Sequence, residues 1–166
     1  ISVWQNALDV NTTGHFLVSQ EAVRLMKQQE QGGNIVFIGT KNVPAPGGGF
    51  GAYSVSKAAQ VQLARVLAIE NGEFGIRCNV VNPDAIFQGS NLWSTEMREQ
   101  RAKAHGISVD GLEEFYRQRN LLKTYVTSDD VANTVLFLAS EKSYKTKGDF
   151  APTPYVLQNR ERQVPL

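Results

Sequence analysis

The sequence predicts an α/β fold in which parallel strands alternate with helices on both faces of a sheet. Three observations carry this. Two short apolar runs, Ile35 to Ile38 and Ile76 to Val81, have the character of strands buried in a parallel sheet. Stretches with helical spacing lie before, between and after them. Strand–helix–strand alternation implies parallel pairing through right-handed crossovers.

The elements follow in order. A helix is predicted over about Trp4–Gln28, then a strand over Asn34–Gly39 ending at Thr40. A loop rich in Pro and Gly follows (Pro44, Pro46, Gly47, Gly48, Gly49). The next helix runs over Tyr53–Glu70, and Glu70-Asn71-Gly72 is a stop signal. The second strand, Arg77–Val81, closes on Asn82-Pro83-Asp84. A lid region holds helices near Leu92–Ala104 and Asp110–Gln118. A last helix is expected over Ser128–Ala139, with Ser128 as its cap. The pairs Glu113-Glu114 and Asp129-Asp130 read as exposed helix starts, where carboxylates suit the helix dipole. From Thr146 onward three prolines and a Gln/Arg cluster argue against a central strand. The expected division is a folded unit over 1–145 and an atypical, mobile tail over 146–166, with Tyr155 to Leu157 as a short edge at most.

Composition narrows the function. A chain of 166 residues can bury a real core as one domain. Its 17 basic and 16 acidic residues nearly cancel, so no nucleic-acid or membrane field is implied. No apolar run approaches membrane-spanning length and no signal peptide is visible, which suggests a cytoplasmic protein. The single cysteine, Cys78, excludes an internal disulfide framework and suits a reducing compartment. It is expected to be inert packing. His15 and His105 lack the spacing of a metal site and read as structural or solvated.

The chemistry centres on Tyr53-Ser-Val-Ser-Lys57. Four residues is close to one helical turn, so phenol and ammonium share a face. A neighbouring positive charge favours the phenolate, which suits a group that gives and takes a proton near neutral pH.

With Gly33-Asn-Ile-Val-Phe-Ile-Gly-Thr40 before it, Asn82-Pro83-Asp84 after it, and Asp9-Val-Asn11 in the first helix, this stretch resembles the short-chain dehydrogenase/reductase family. The resemblance runs from about Ile1 to Lys145. It implies the C-terminal part of a Rossmann-like doubly wound parallel sheet, truncated, with helices on both faces. It also implies hydride transfer with NAD or NADP. By resemblance Tyr53 is the catalytic acid/base, Lys57 lowers its pKa and holds the nicotinamide ribose, and Asn11 anchors a relay water. Thr40 stands where the family usually has serine, thirteen residues before the tyrosine. It keeps the hydroxyl and adds a methyl group. Pro83 and Asp84 replace the usual Pro-Gly, Ile86 sits where a backbone amide would meet the carboxamide, and Gln88 replaces a threonine. Cofactor contacts are thus expected from Tyr53, Lys57, Pro83, Asp84 and Ile86, with no metal.

Two narrower likenesses bear on substrate. Asn34 to Asn42, Asn79 to Ala85 and Arg101-Ala-Lys-Ala-His-Gly106 are similar to the dehydrogenase half of bifunctional rhamnulose-1-phosphate aldolase/alcohol dehydrogenases. Gly106 to Leu122 is similar to sorbitol-6-phosphate dehydrogenases. Both imply a small hydroxyaldehyde, polyol or sugar phosphate.

The Gly-rich turn that would hold a dinucleotide pyrophosphate is not in this sequence. Gly47-Gly-Gly-Phe-Gly51 follows Pro-Ala-Pro and reads as a substrate-side loop. The expectation is therefore a fragment, with four strands lost, inactive by itself. Two functions stay open: an oxidoreductase chain, or a catalytically incompetent piece that self-associates through its two long helices into a homodimer or homotetramer. A phosphate-binding regulatory module has no supporting motif.

Overall fold

The computed structural model describes residues 1–146 and 150–151. The edge expected at Tyr155 to Leu157 and most of the expected mobile tail lie outside the described residues. Three parallel strands, β1 (Gly33–Ile38), β2 (Ile76–Val81) and β3 (Phe150–Ala151), form a sheet in the order β1-β2-β3. Ile35 pairs with Cys78 and Phe37 with Val80 in the β1–β2 register. Val80 and Val81 pair with Phe150 and Ala151. Sheet pairing thus reaches into the segment set aside as an atypical tail, and it does so upstream of Tyr155.

Strand alternation divides the side chains between two faces. Ile35, Phe37, Ile76, Cys78 and Val80 pack with Val23, Val61, Ala64, Leu67 and Ala68 in one core. Those partners come from α2 (Gly14–Gln29) and α3 (Gly51–Asn71). The opposite face carries Asn34, Arg77 and Asn79. It meets α6 (Ser128–Ala139) and the turn after it: Asn34 Nδ2 donates to Leu138 O, and Arg77 Nη1 to Ser143 O at 3.1 Å. Helices therefore cover both faces, as the sequence predicts. Cys78 is fully buried in this core, where desolvation pushes its thiol up to about 11.

The first predicted helix is two helices joined by a π turn. α1 (Ser2–Leu8) runs into a π-helical segment over Asp9–Thr13 and continues as α2. No periodicity in Trp4–Gln28 announces that widened turn, which carries Asn11. α3 ends at Asn71, at the stop the sequence predicts. Gly72 keeps a right-handed backbone (φ −63°), the chain goes on as a 3₁₀ turn over Gly72–Phe74, and Gly75 (φ 70°) makes the left-handed turn. Two smaller corrections concern the other helices. The cap of α6 is Thr127, not Ser128. Its hydroxyl accepts from the Asp130 N–H while the Asp130 carboxylate accepts from the Thr127 N–H, a reciprocal capping box. The lid helices are α4 (Thr95–His105) and α5 (Leu112–Arg119), each starting later than predicted. A second core of Phe87, Leu112 and Tyr116 holds α5, with Trp93 stacked on Phe87 at 4.1 Å, and α4 meets it through His105, whose ring centroid lies 4.5 Å from that of Phe115. No helix among the described residues is long and apolar enough to cross a membrane.

Candidate active site

Two adjacent parallel strands end side by side, and their turns are laced together. Gly39 N–H donates to Val81 O at 2.7 Å, Thr40 N–H to Asn82 Oδ1 at 3.0 Å, and Lys41 N–H to Pro83 O at 2.9 Å. This fixes Thr40 and Lys41 opposite Pro83 and Asp84. Close approach demands glycine at 39. A Cβ there would lie 2.2 Å from Asn82 Oδ1 and 3.0 Å from Val80 Cγ1. Thr40 is buried, and its Oγ1 accepts from the Asn42 N–H at 3.3 Å.

The first turns of α3 bring Tyr53 to the same place. Thr40, Tyr53, Pro83, Asp84 and Ile86 all line one pocket of about 230 Å³ at the strand ends. Gly47 and Gly48 border it, which sets the Gly-rich loop beside Tyr53. Phe50 packs near Tyr53, their ring centroids 6.2 Å apart.

Lys57 and Asn11 stand behind this pocket and do not line it. Lys57 Nζ donates to Ile38 O at 2.9 Å, and burial lowers its pKa from the usual lysine value. Asn11 Nδ2 donates to Ser56 Oγ at 3.1 Å, and Ser56 Oγ donates to Tyr53 O at 2.9 Å. Thr12 Oγ1 donates to Ser56 O at 3.1 Å. The π turn is thus pinned to the start of α3, directly behind Tyr53; π turns of this kind recur at functional sites. Gln88 is exposed and takes no part in the lining.

The far wall was not anticipated. Arg101 and His105 of α4, Tyr116 and Arg119 of α5, and Trp93 line the pocket, as does Lys41. His105, expected to be structural or solvated, lies beside Arg101, with Arg101 Nη2 3.0 Å from His105 Nε2. His15 is structural, its Nδ1 3.2 Å from Val10 O. The signal available in the sequence was the four-residue spacing of Arg101 and His105, and the three-residue spacing of Tyr116 and Arg119. Each places two polar side chains on one helix face. Arg101 Nη1 also donates to Gly48 O at 3.2 Å and its guanidinium sits 4.6 Å over the Phe50 ring, tying the lid to the Gly-rich loop. Burial pulls the Lys41 ammonium down to about 8, helped by the Arg119 and Arg101 charges and opposed by Asp84. Burial and the same cations lower the His105 pKa. Among the described residues no His/Cys/Asp/Glu group could hold a metal ion.

Residues 1–151 match the family described as Enoyl-(Acyl carrier protein) reductase, within the short-chain oxidoreductases. The chain belongs to the short-chain dehydrogenase/reductase family. Among its relatives in that family, the uncharacterized oxidoreductase YuxG of Bacillus subtilis (strain 168) is 48% identical over 145 residues, 87% of this chain and 21% of YuxG. Xanthoxin dehydrogenase of Arabidopsis thaliana is 35% identical over 150 residues, covering 90% of this chain and 51% of that protein. The crystal structure of sorbitol-6-phosphate 2-dehydrogenase SrlD from Erwinia amylovora superposes with a TM-score of 0.81 at 28% identity, over 92% of this chain and 59% of SrlD. The chain therefore spans about a fifth of YuxG and little more than half of the other two.

Proposed function

We propose that the whole protein transfers hydride between a nicotinamide cofactor and a small hydroxyaldehyde, polyol or sugar-phosphate alcohol or carbonyl. One observation carries this: Thr40, at the end of β1, and Tyr53, at the start of α3, meet in one pocket beyond the carboxyl ends of parallel strands. Ligand sites of open α/β sheets lie in such crevices. In this reading Thr40 Oγ holds the substrate oxygen and the Tyr53 phenol gives or takes its proton. Lys57, one turn further along α3, supplies the positive charge that favours the phenolate, and Asn11 braces the start of α3 through Ser56.

The residues here fit the nicotinamide end of NAD or NADP. Lys57 spends one of its three donors on Ile38 O, which leaves donors for ribose hydroxyls. Pro83, Asp84 and Ile86 offer backbone at the wall beside Tyr53. The cofactor, when bound, supplies or accepts the hydride. Names among the relatives, an uncharacterized NAD-dependent oxidoreductase of Mycobacterium tuberculosis (strain ATCC 25618 / H37Rv) and carbonyl reductase [NADPH] 2 of Sus scrofa, support this cofactor class and leave the choice between the two open. The narrower likeness to the dehydrogenase half of a rhamnulose-1-phosphate aldolase/alcohol dehydrogenase remains part of the proposal. That the match covers only 21% of YuxG leaves room there for a second enzyme half. A cytoplasmic location is part of the same reading.

The deciding experiment is Tyr53→Phe in the whole protein. Turnover should fall by at least about a hundredfold, the usual worth of a positioned acid/base, with the fold retained by circular dichroism. Undiminished turnover would refute the assignment.

A second reading is favoured by the exposed apolar residues of α2 and α3: the chain by itself is an incompetent, truncated sheet that mainly self-associates. Titration with NADH, followed by nicotinamide fluorescence, separates the two. Weak or absent binding by the 166-residue chain is expected, because the pyrophosphate-binding turn is not among its residues. Micromolar binding would remove the second reading.

A further inference from the structure

The pocket holds more positive charge than proton transfer at Thr40 and Tyr53 uses. Lys41, Arg101 and Arg119 reach it from three separate segments, and Asp84 is the one carboxylate in its lining. The acidic residues of α5 are committed elsewhere, Glu113 to Arg98 at 2.8 Å and Glu114 to Arg117 at 2.6 Å, and Glu96 and Glu99 of α4 are exposed and outside the lining. Three cations and one anion leave about two uncompensated charges in a small, partly desolvated space, where such charges repel strongly.

The donors tell the same story. Arg101 Nε, Arg119 Nη2 and Trp93 Nε1 are buried and have no hydrogen-bond partner. Buried donors left unpaired are costly, most of all on charged groups. All three belong to residues that line this pocket. The guanidiniums are also held in place. Arg101 is fixed by Gly48 O and by His105, whose Nε2 accepts and is therefore unprotonated. Arg119 lies 4.5 Å over the Tyr116 ring. A neutral hydroxyl satisfies a donor and leaves the charge; an oxyanion satisfies both, and planar guanidiniums match its geometry. Asn42 Oδ1, a fourth buried atom without a partner, is an acceptor and suits a hydroxyl of the same molecule.

We infer that Lys41, Arg101 and Arg119, with the Trp93 indole N–H, form a subsite for an oxyanion carried by the substrate, a phosphate ester or a carboxylate, on the lid side of Thr40 and Tyr53. This rests on the dehydrogenase reading in that the anion belongs to the reacting molecule. The substrate class then narrows from hydroxyaldehydes, polyols and sugar phosphates to the phosphorylated or acidic ones alone. His105 acts as a positioning residue for Arg101.

The test begins with inorganic phosphate and acetate, titrated into the chain while Trp93 fluorescence is followed; the other tryptophan, Trp4, is on α1 and away from the pocket. Saturable binding is expected, weakened about tenfold in each of Lys41→Met and Arg119→Gln, the loss of one charge-assisted contact. It should be unchanged in Lys103→Gln, an exposed cation of α4 outside the lining. Preference for phosphate assigns an ester, preference for acetate a carboxylate. In the whole protein, glycerol, glycerol 3-phosphate and glycerate then present one carbon frame with each charge state. An anionic member should exceed glycerol in kcat/KM by about tenfold or more, and Arg119→Gln should raise its KM while sparing that of the cofactor. Absence of saturable anion binding, equal binding by all variants, equal rates on the three alcohols, or a KM effect on the cofactor instead would overturn the subsite. Because anion binding is read without turnover, a chain that binds phosphate but lacks catalysis refutes only the dehydrogenase reading. An enzyme active on glycerol that binds no anion refutes only the subsite.

Discussion

At the residue scale, Lys41 carries a definite pH signature. Its ammonium is pulled from the usual lysine value, 10.5, down to about 8, first by burial, then by Arg119, with Arg101 adding to the effect and Asp84 opposing. The unfolded chain therefore binds this proton more tightly than the folded one between about pH 8 and 10.5. Below about 8 the lysine is charged in both states, and the folded state bears the full penalty. As pH rises from about 8 to 10.5 the penalty is relieved, so stability rises toward the alkaline end and the group contributes nothing above it. Lys41→Met should raise the melting temperature at pH 7, and the gain should shrink toward zero above pH 10.5. Thermal unfolding of both proteins across that range checks it. A gain independent of pH would mean that the methionine merely packs better.

At the element scale, the joined ends of β1 and β2 set the site. Gly39→Ala forces its Cβ against Asn82 Oδ1 and the Val80 side chain. Asn82 Oδ1 is the acceptor that holds the Thr40 N–H. The substitution should cost about 1–3 kcal/mol of stability, the usual range for an added methyl in a packed place. It should also lower kcat of the whole protein by displacing Thr40. Urea unfolding and steady-state kinetics report the two effects, and an unaltered Gly39→Ala variant would show that the strand ends can separate freely. Much at this scale was legible beforehand. The two strands, α3 and α6 lie within a residue or two of their predicted bounds, because apolar runs and helical spacing are local properties. The helix ends were less legible. Thr127 caps α6 only because Asp130 answers it, and the turn after α3 falls at Gly75 because a 3₁₀ segment intervenes.

At the scale of the whole molecule, exposed apolar surface stands out. Phe16, Leu17 and Val18 on α2, and Val66 and Ile69 on α3, are exposed; so are Leu136 and Phe137 on α6. β1 has β2 on one side and no strand on its other edge among the described residues, with Ile38 at 43% exposure. Open edges and apolar faces of this kind recruit further chain. Val23 of α2 and Leu63 and Leu67 of α3 pack into or against the core instead. We expect the chain to form dimers or larger species at low micromolar concentration by light scattering. A Phe16→Glu, Val66→Glu double variant should shift it toward monomer, and a soluble monomer in the unsubstituted chain would contradict the proposal.

The sequence by itself determined the α/β alternation, the parallel sheet, the family, and the placing of Thr40 and Tyr53 where strand end and helix start meet. Those features live in short runs whose spacing encodes which face is apolar and which side chains share a turn. Only the tertiary structure decided that Lys41, Arg101, His105 and Arg119 share one pocket with Tyr53. Their convergence depends on the aromatic core of Phe87, Trp93 and Tyr116 that holds α5, and on the Arg98–Glu113 ion pair and the His105–Phe115 ring contact that hold α4 to it. It likewise decided the π turn at Asn11, which is fastened by hydrogen bonds to Ser56 rather than by its own sequence. Periodicity says that a helix has an apolar face; what packs against that face is set by contacts far along the chain.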